Sequence, residues 1–400
     1  MLKFSFSPWL RALLILGLAT LGGYAYWAHS PLPERADIVP TQYLRLKRDF
    51  IEGARSQSGE INSFILNSTG PNGEQLTIDT LWIGEKTAEK IFLHISGTHG
   101  VEGYAGSAIQ SALLQEKLVA PDNSAIVFLH ALNPWGMAHK RRVNESNVDL
   151  NRNFIGDKSK FSGSPQGYRD AEWFLNPEGL PSRMDLFFPN AIFLIGRYGF
   201  ATLKQAIAGG QYDFPHGIYY GGSRMESSNR FLKRFLLQNF SKVKTLIVVE
   251  VHTGLGEWGK DLLFWPLDAE HPKTLRLSKL IDEKLDSDDP RDGAGFKTPG
   301  DLQGEAPKLL PDTDIYWIVQ EFGTYGPIAT LRALINENAY QQSAERPDTS
   351  HWSKAELLEI FTPGNAEWQQ MVLDRGIAIG RKVIKKLADP LWQGDPSPEG

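Results

Sequence analysis

Residues 245–260 read TLIVVEVHTGLGEWGK, an apolar run that breaks at a histidine and continues into three closely spaced glycines. The glycines fit G-x-G-x-x-G, and with Lys260 they come close to a phosphate-binding loop. A dinucleotide fingerprint requires a helix directly behind its glycines, so that the helix N-terminus faces the pyrophosphate. Here the chain runs on as DLLFWPLDAEHP, with Pro266 too early for a helix. A phosphate loop places Ser or Thr after its lysine to hold magnesium. Asp261 occupies that place, and a carboxylate there repels phosphate. With 38 glycines in 400 residues such spacings arise by chance, and no nucleotide site is expected. The stretch instead reads as a buried strand over 245–252 that ends in His252. Glu250 lies two residues earlier, on the same face of the strand.

Further strand-like runs appear around residue 64, at 76–84, 90–96, 125–133 and 314–323, with a shorter one, DLLFWP, from 261. Helical patterns are expected near 41–56, 104–118, 182–208, 273–286, 327–344 and 365–388. Strands apolar on both faces, alternating with helices, predict an α/β fold: one domain over 36–400, with a mixed, mainly parallel twisted sheet covered by helices on both faces. Residues 155–240 read as a long insert, loop-rich at first and then helical. Ligands in such sheets bind at the carboxyl ends of strands. This directs attention to the loops 97–103, 252–259 and 321–326.

A net charge of −5 and a charged fraction of 22% give no basic surface suited to nucleic acid, and no nucleic-acid partner is expected. The absence of cysteine removes thiolate nucleophiles and Cys-ligated zinc, so any metal must be held by His, Asp or Glu. No G-x-S-x-G elbow is present for a serine hydrolase. The N-terminus, residues 1–35, carries Lys3 and Arg11 and then no formal charge until Glu34. Its apolar run predicts a hydrophobic helix at about 10–28, either a membrane anchor or a signal segment cleaved near Ala28-His29-Ser30. The charges precede the run, so the body is expected outside the cytoplasm, in a bacterial periplasm or at a cell surface.

His99 and Glu102 stand in GTHGVEG directly behind a strand, and His252 ends another. Two His and one Glu at strand ends match a catalytic zinc site with three protein ligands and an open position. The segment RRVNESNVDLNRNF (141–154) sets Arg141, Arg142, Asn151 and Arg152 around Asp149, and arginine forks suit carboxylates. Glu321 ends the run DIYWIVQEFG, where a carboxylate is costly unless it is paired or functional.

Taken in order, SGTHGVEG, RRVNESNVDLNRNF, HTGLG and EFGTYG resemble the motifs of the zinc carboxypeptidase superfamily. The similarity lies closest to a bacterial branch of unknown function related to succinylglutamate desuccinylase and aspartoacylase. The resemblance spans about 60–385. It implies one zinc ion per chain on His99, Glu102 and His252, with Glu321 as general base and acid. It further implies Arg142 as the group polarising the carbonyl, with Arg141 beside it as the competing candidate. Asn151, Arg152 and Tyr325 would bind substrate. Asp149 would orient the first histidine, and Glu250 would orient His252 or tune the water. The implied activity is hydrolysis of an amide that carries a free carboxylate, either a peptide or a small N-acyl amino acid. A catalytically inactive binding protein is the alternative of a different kind.

Overall fold

The computed structural model describes residues 30–287 and 298–392. In chain order the elements are α1 (Tyr43–Arg55), β1 (Gly59–Thr69), β2 (Gln75–Gly84), β3 (Lys90–Ile95), α2 (Gly103–Leu113), β4 (Ser124–His130) and α3 (Pro134–Ala138). The insert supplies α4 (Gln166–Leu175), α5 (Phe187–Tyr198), α6 (Phe200–Ala208) and α7 (Ser227–Phe240). Then follow β5 (Thr245–Trp258), β6 (Asp261–Trp265), α8 (Pro272–Ile281), β7 (Asp286–Ser287), α9 (Leu302–Glu305), β8 (Asp314–Gly323), α10 (Pro327–Ser343), α11 (Trp352–Phe361) and α12 (Ala366–Lys386).

The strands form one eight-stranded sheet in the order β1-β2-β4-β3-β5-β8-β6-β7. Its centre, β4-β3-β5-β8, is parallel, and β1, β2 and β6 pair antiparallel on the flanks. Every residue of β3 and β4 is buried, which is why neither shows the alternation of a half-exposed strand. Phe92, Ile247, Val249 and Ile318 pack on one face with α1, α2, α8 and α12. Leu93, Val248 and Trp317 pack on the other with α4, α5, α6, α7, α10 and α11. The period-2 alternation of β5 and β8 puts Glu250, His252 and Glu321 on this second face, beneath the insert.

The expected layering is present, with local differences. The strand expected to stop at His252 continues to Trp258, and the register with β8 slips between Thr253 and Trp258. Gly254 sits in that bulge at φ 132°, where a Cβ would also meet Phe361 at 2.9 Å. The glycines are therefore strand backbone rather than an open loop. The helix expected over 182–208 is two helices, separated where Gly199 adopts φ 77°. The helix expected over 104–118 ends at Leu113, and the one expected over 273–286 ends at Ile281, where Asp282 turns left-handed. Helices α4, α7 and α11 were not expected. The hydrophobic N-terminal segment lies within residues 1–29, outside the described residues. Among the described residues no helix is long and apolar enough to cross a membrane.

Candidate functional site

The parallel register between β5 and β8 sets His252 directly beside Glu321. The loop behind β3 brings His99 and Glu102 to the same place. It is held there by backbone bonds from Gly100 N–H to Arg142 O (3.1 Å) and from Val101 N–H to Arg141 O (3.1 Å). His99, Glu102 and His252 offer ligand atoms that all lie within 4.8 Å of one another, and all three side chains are buried.

Hydrogen bonds define which nitrogen each histidine turns inward. His99 Nε2 faces Asp149 Oδ1 at 3.0 Å, and His252 Nε2 faces Glu250 Oε1 at 2.8 Å. A carboxylate only accepts, so with a cation held between the inner nitrogens both Nε2 atoms carry the proton and donate. The two Nδ1 atoms are left facing each other at 3.2 Å. Glu102 completes the triangle at 2.9 Å from His99 Nδ1 and 3.0 Å from His252 Nδ1. Two imidazole lone pairs so close repel unless a cation or a shared proton lies between them. Nitrogens bound to one tetrahedral zinc at about 2.0–2.1 Å stand about 3.3 Å apart. The donor set and its spacing thus fit zinc, with a fourth position open.

The carboxylates around the histidines are held in turn. Asp149 accepts from the backbone of Asn151 (3.0 Å) and pairs with Arg142 Nη1. Glu250 accepts from Thr98 Oγ1 (2.7 Å) and Trp317 Nε1 (2.8 Å). Burial opposes the charge of Asp149, Glu250 and Glu102, yet the pKa of each is lowered: Arg142 dominates at Asp149, His252 at Glu250, and His99 at Glu102. The pKa of His252 is raised well above the usual range; burial resists this, and Glu250 and Glu102 outweigh it. Glu321 goes the other way. Burial first, and the charge of Glu102 second, push it up to about 8. Its Oε1 accepts from Leu255 N–H at 3.0 Å.

Adjacent arginines part company. Arg141 turns into a closed cluster with Glu337 (2.8 Å), Asn147 and Asn338, away from the site. Arg142 turns toward the site, with Nε 3.4 Å from Glu102 and its guanidinium 5.1 Å over the ring of Tyr219. Arg152 lines the same cavity, but its nitrogens donate to Ala208 O and Asn151 O and it is 1% exposed. Asn151 lines the cavity too, and its Oδ1 accepts from Leu302 N–H (2.9 Å). Tyr325 is not brought in: its hydroxyl donates to Glu359 (2.8 Å) and its ring packs edge-on against Trp258. Spacing after a strand end does not specify which way a side chain turns, and Glu359 captures this one.

Sequence reading missed Thr98, Trp317 and Tyr219. Tyr219 lies beneath both Arg142 and Arg152 and takes a left-handed φ of 56°, uncommon for a bulky residue. Tyr219 and Tyr220 precede a glycine pair inside the insert, where no periodic signal marks them. A cavity of about 1440 Å³, including its open mouth, joins His99, Glu102, His252, Glu321, Arg142, Asn151, Arg152 and Tyr219.

Solved structures of similar fold share little sequence with the chain. Carboxypeptidase A from Helicoverpa armigera is 12% identical, over 92% of this chain and 81% of its own, with a TM-score of 0.43. Succinylglutamate desuccinylase from Chromobacterium violaceum is 12% identical over 75% of each chain, with a TM-score of 0.35. A murein-tripeptide amidase from Escherichia coli O157 is 14% identical, over 70% of this chain and 92% of its own, with a TM-score of 0.32. No curated protein matches the chain. The family model described as a protein of unknown function, DUF2817, matches residues 40–375, and the chain belongs to that family.

Proposed function

We propose that the protein is a zinc-dependent amide hydrolase acting on substrates with a free carboxylate. The observation that carries this reading is the pair of inward Nδ1 atoms, 3.2 Å apart, with Glu102 beside both and each outer nitrogen tied to a carboxylate. His99, Glu102 and His252 would hold the ion. When bound, zinc supplies a Lewis acid and an acidified water.

The chain's own residues supply the rest. Glu321, poised near neutral pH, takes a proton from the attacking water and returns it to the departing nitrogen. Arg142, held by Asp149 and lining the cavity, stabilises charge developing on the carbonyl oxygen. Asn151 takes the substrate carboxylate, within the positive field of Arg142 and Arg152. Arg152, whose Nε and Nη2 donate to Ala208 O, is the weaker clamp. Thr98 and Trp317 fix Glu250, and Glu250 fixes the tautomer of His252. The apolar, positively flanked N-terminus supports a site of action outside the cytoplasm, with the body attached to a membrane by about residues 10–28.

The test is metal content with activity. Purified protein is expected to carry close to one zinc per chain, and chelation is expected to abolish hydrolysis of C-terminal peptides or N-acyl amino acids. Full activity in a metal-free preparation would falsify the reading.

A further inference from the structure

The cavity has two unlike parts. Most charged groups gather around His99, Glu102, His252 and Glu321, and the wall across from them is largely hydrocarbon, with Phe174, Ala191, Ile195, Leu203 and Ile207 from α4, α5 and α6, and Ile328 from α10, interrupted by Lys204. A binding site for a small polar acyl group has no use for such a wall. The outer side of the same helices is also apolar. Seven of the fourteen large apolar side chains exposed among the described residues fall within residues 173–200, with Leu186 and Ile192 about 70% exposed. In α5, FFPNAIFLIGRY, only Asn190 and Arg197 carry an amide or a charge. A helix hydrophobic all round belongs in a core or against lipid, and α5 is at the surface. The N-terminal arm approaches this region, since Arg35 pairs with Glu359 late in α11 while Arg183 stacks on Trp352 at its start. Seven helical positions separate Trp352 from Glu359, roughly 10 Å.

Resting on the amide-hydrolase reading, we propose that the substrate is an amphiphile: an N-acyl amino acid whose acyl group is a hydrocarbon chain of about ten carbons or more. The carboxylate lies at the charged end, the amide at Glu321, and the chain along the wall built by the insert. Water adds to the acyl carbon, the C–N bond breaks, and the proton held by Glu321 goes to the nitrogen. The products are a long-chain carboxylate and a free amino acid, with no oxidant or co-reactant required.

A chain-length series tests this on the zinc-loaded protein: acetyl, hexanoyl, dodecanoyl and hexadecanoyl derivatives of one amino acid. Burying a methylene is worth at most about fourfold, so kcat/KM is expected to rise at least a hundredfold from acetyl to dodecanoyl. A flat or falling series overturns the inference while leaving an amide hydrolase standing. Cleavage of none of them leaves a second readout, binding of the product-like probe dodecanoate measured by calorimetry. Dodecanoate binding at least a hundredfold tighter than acetate supports the hydrocarbon site even if the catalytic reading fails, and equal binding overturns it. Ala191→Trp, which fills the wall, is expected to lower the dodecanoyl-to-acetyl ratio of kcat/KM at least tenfold; an unchanged ratio in a folded variant overturns the assignment of this wall.

Discussion

Among the described residues four histidines are almost fully buried, and they divide into two pairs with opposite chemistry. His94 and His130 are fully buried in the sheet, and His99 and His252 are 3% exposed at its carboxyl edge. His94 Nδ1 accepts from Gln110 (3.2 Å), and its Nε2 has no partner among the described residues. His130 meets Ser107 at 2.6 Å, stacks on Phe50, and leaves Nδ1 without a hydrogen bond. Burial governs this pair, outweighing Asp79 at 4.0 Å from His130 Nδ1, and drives His94 down to about 3 and His130 down to about 4. At the edge, each histidine hands Nε2 to a carboxylate, and the raised pKa of His252 shows those charges outweighing the same burial. Burial therefore does not mark a candidate metal-binding histidine here. The carboxylate behind it does, because it fixes the tautomer and turns a lone pair toward the partner.

The largest effect expected from this contrast is on the inward pair. His99→Ala removes one of three donors, and zinc content is expected to fall below a tenth of an ion per chain. Activity should drop roughly a thousandfold or more, since the ion supplies several kcal/mol of barrier lowering at about 1.4 kcal/mol per tenfold. The same change at His94 should leave zinc content intact. Equal metal loss in both variants would erase the distinction between the pairs.

Glu321→Gln sharpens it differently. This residue neighbours the metal triad without belonging to it, so the variant should bind zinc normally and lose about 10²–10⁴ in kcat. Retained turnover would move the proton-transfer role elsewhere.

A smaller effect is expected one step further out. Glu250→Gln keeps the shape of the side chain but weakens its hold on His252 Nε2, and zinc affinity should fall about 10–100-fold by competition with a chelator. If affinity does not change, the hydrogen bond is packing and the comparison loses its mechanism.

The edge pair was legible in the sequence because each residue stands where an unbroken apolar strand gives way to glycine: HISGTHG at His99 and VEVHTG at His252. Glu321 was visible for the same reason, ending the run that forms β8. The central parallel strands were visible from their length and their lack of polar residues. Long-range pairings were not. Trp317 reaches Glu250 across 67 positions, and Tyr219 reaches Arg142 through an insert whose register no local pattern sets. Arg141 and Arg142 looked equivalent because neighbours in an irregular segment carry no periodicity, and only the position of Glu337 on α10 separates them. The hydrocarbon wall was invisible for a related reason: α5 reads as apolar throughout, and sequence does not say which side faces a cavity.

The core pair yields the mildest effect, and it has a definite sign. His94 and His130 have folded pKa values of about 3 and about 4 against an unfolded value of 6.5. Below pH 6.5 the unfolded chain binds protons that the folded chain refuses, so their contribution is intact above that pH and is lost as pH falls. Each should cost about 2 kcal/mol at pH 5 relative to pH 7.5, at roughly 1.4 kcal/mol per unit. In zinc-free protein His252 acts with the opposite sign, since its raised pKa adds stability as pH falls and loses it as pH rises. Urea midpoints of the zinc-free protein between pH 7.5 and 5 therefore report a partial cancellation. His130→Gln should flatten the acid-side loss by about half of the core pair's share, and Glu250→Gln should steepen it by weakening the compensation from His252. Parallel curves for both variants would mean that His130 and His252 titrate alike, and the contrast between core and edge would fail at its electrostatic root.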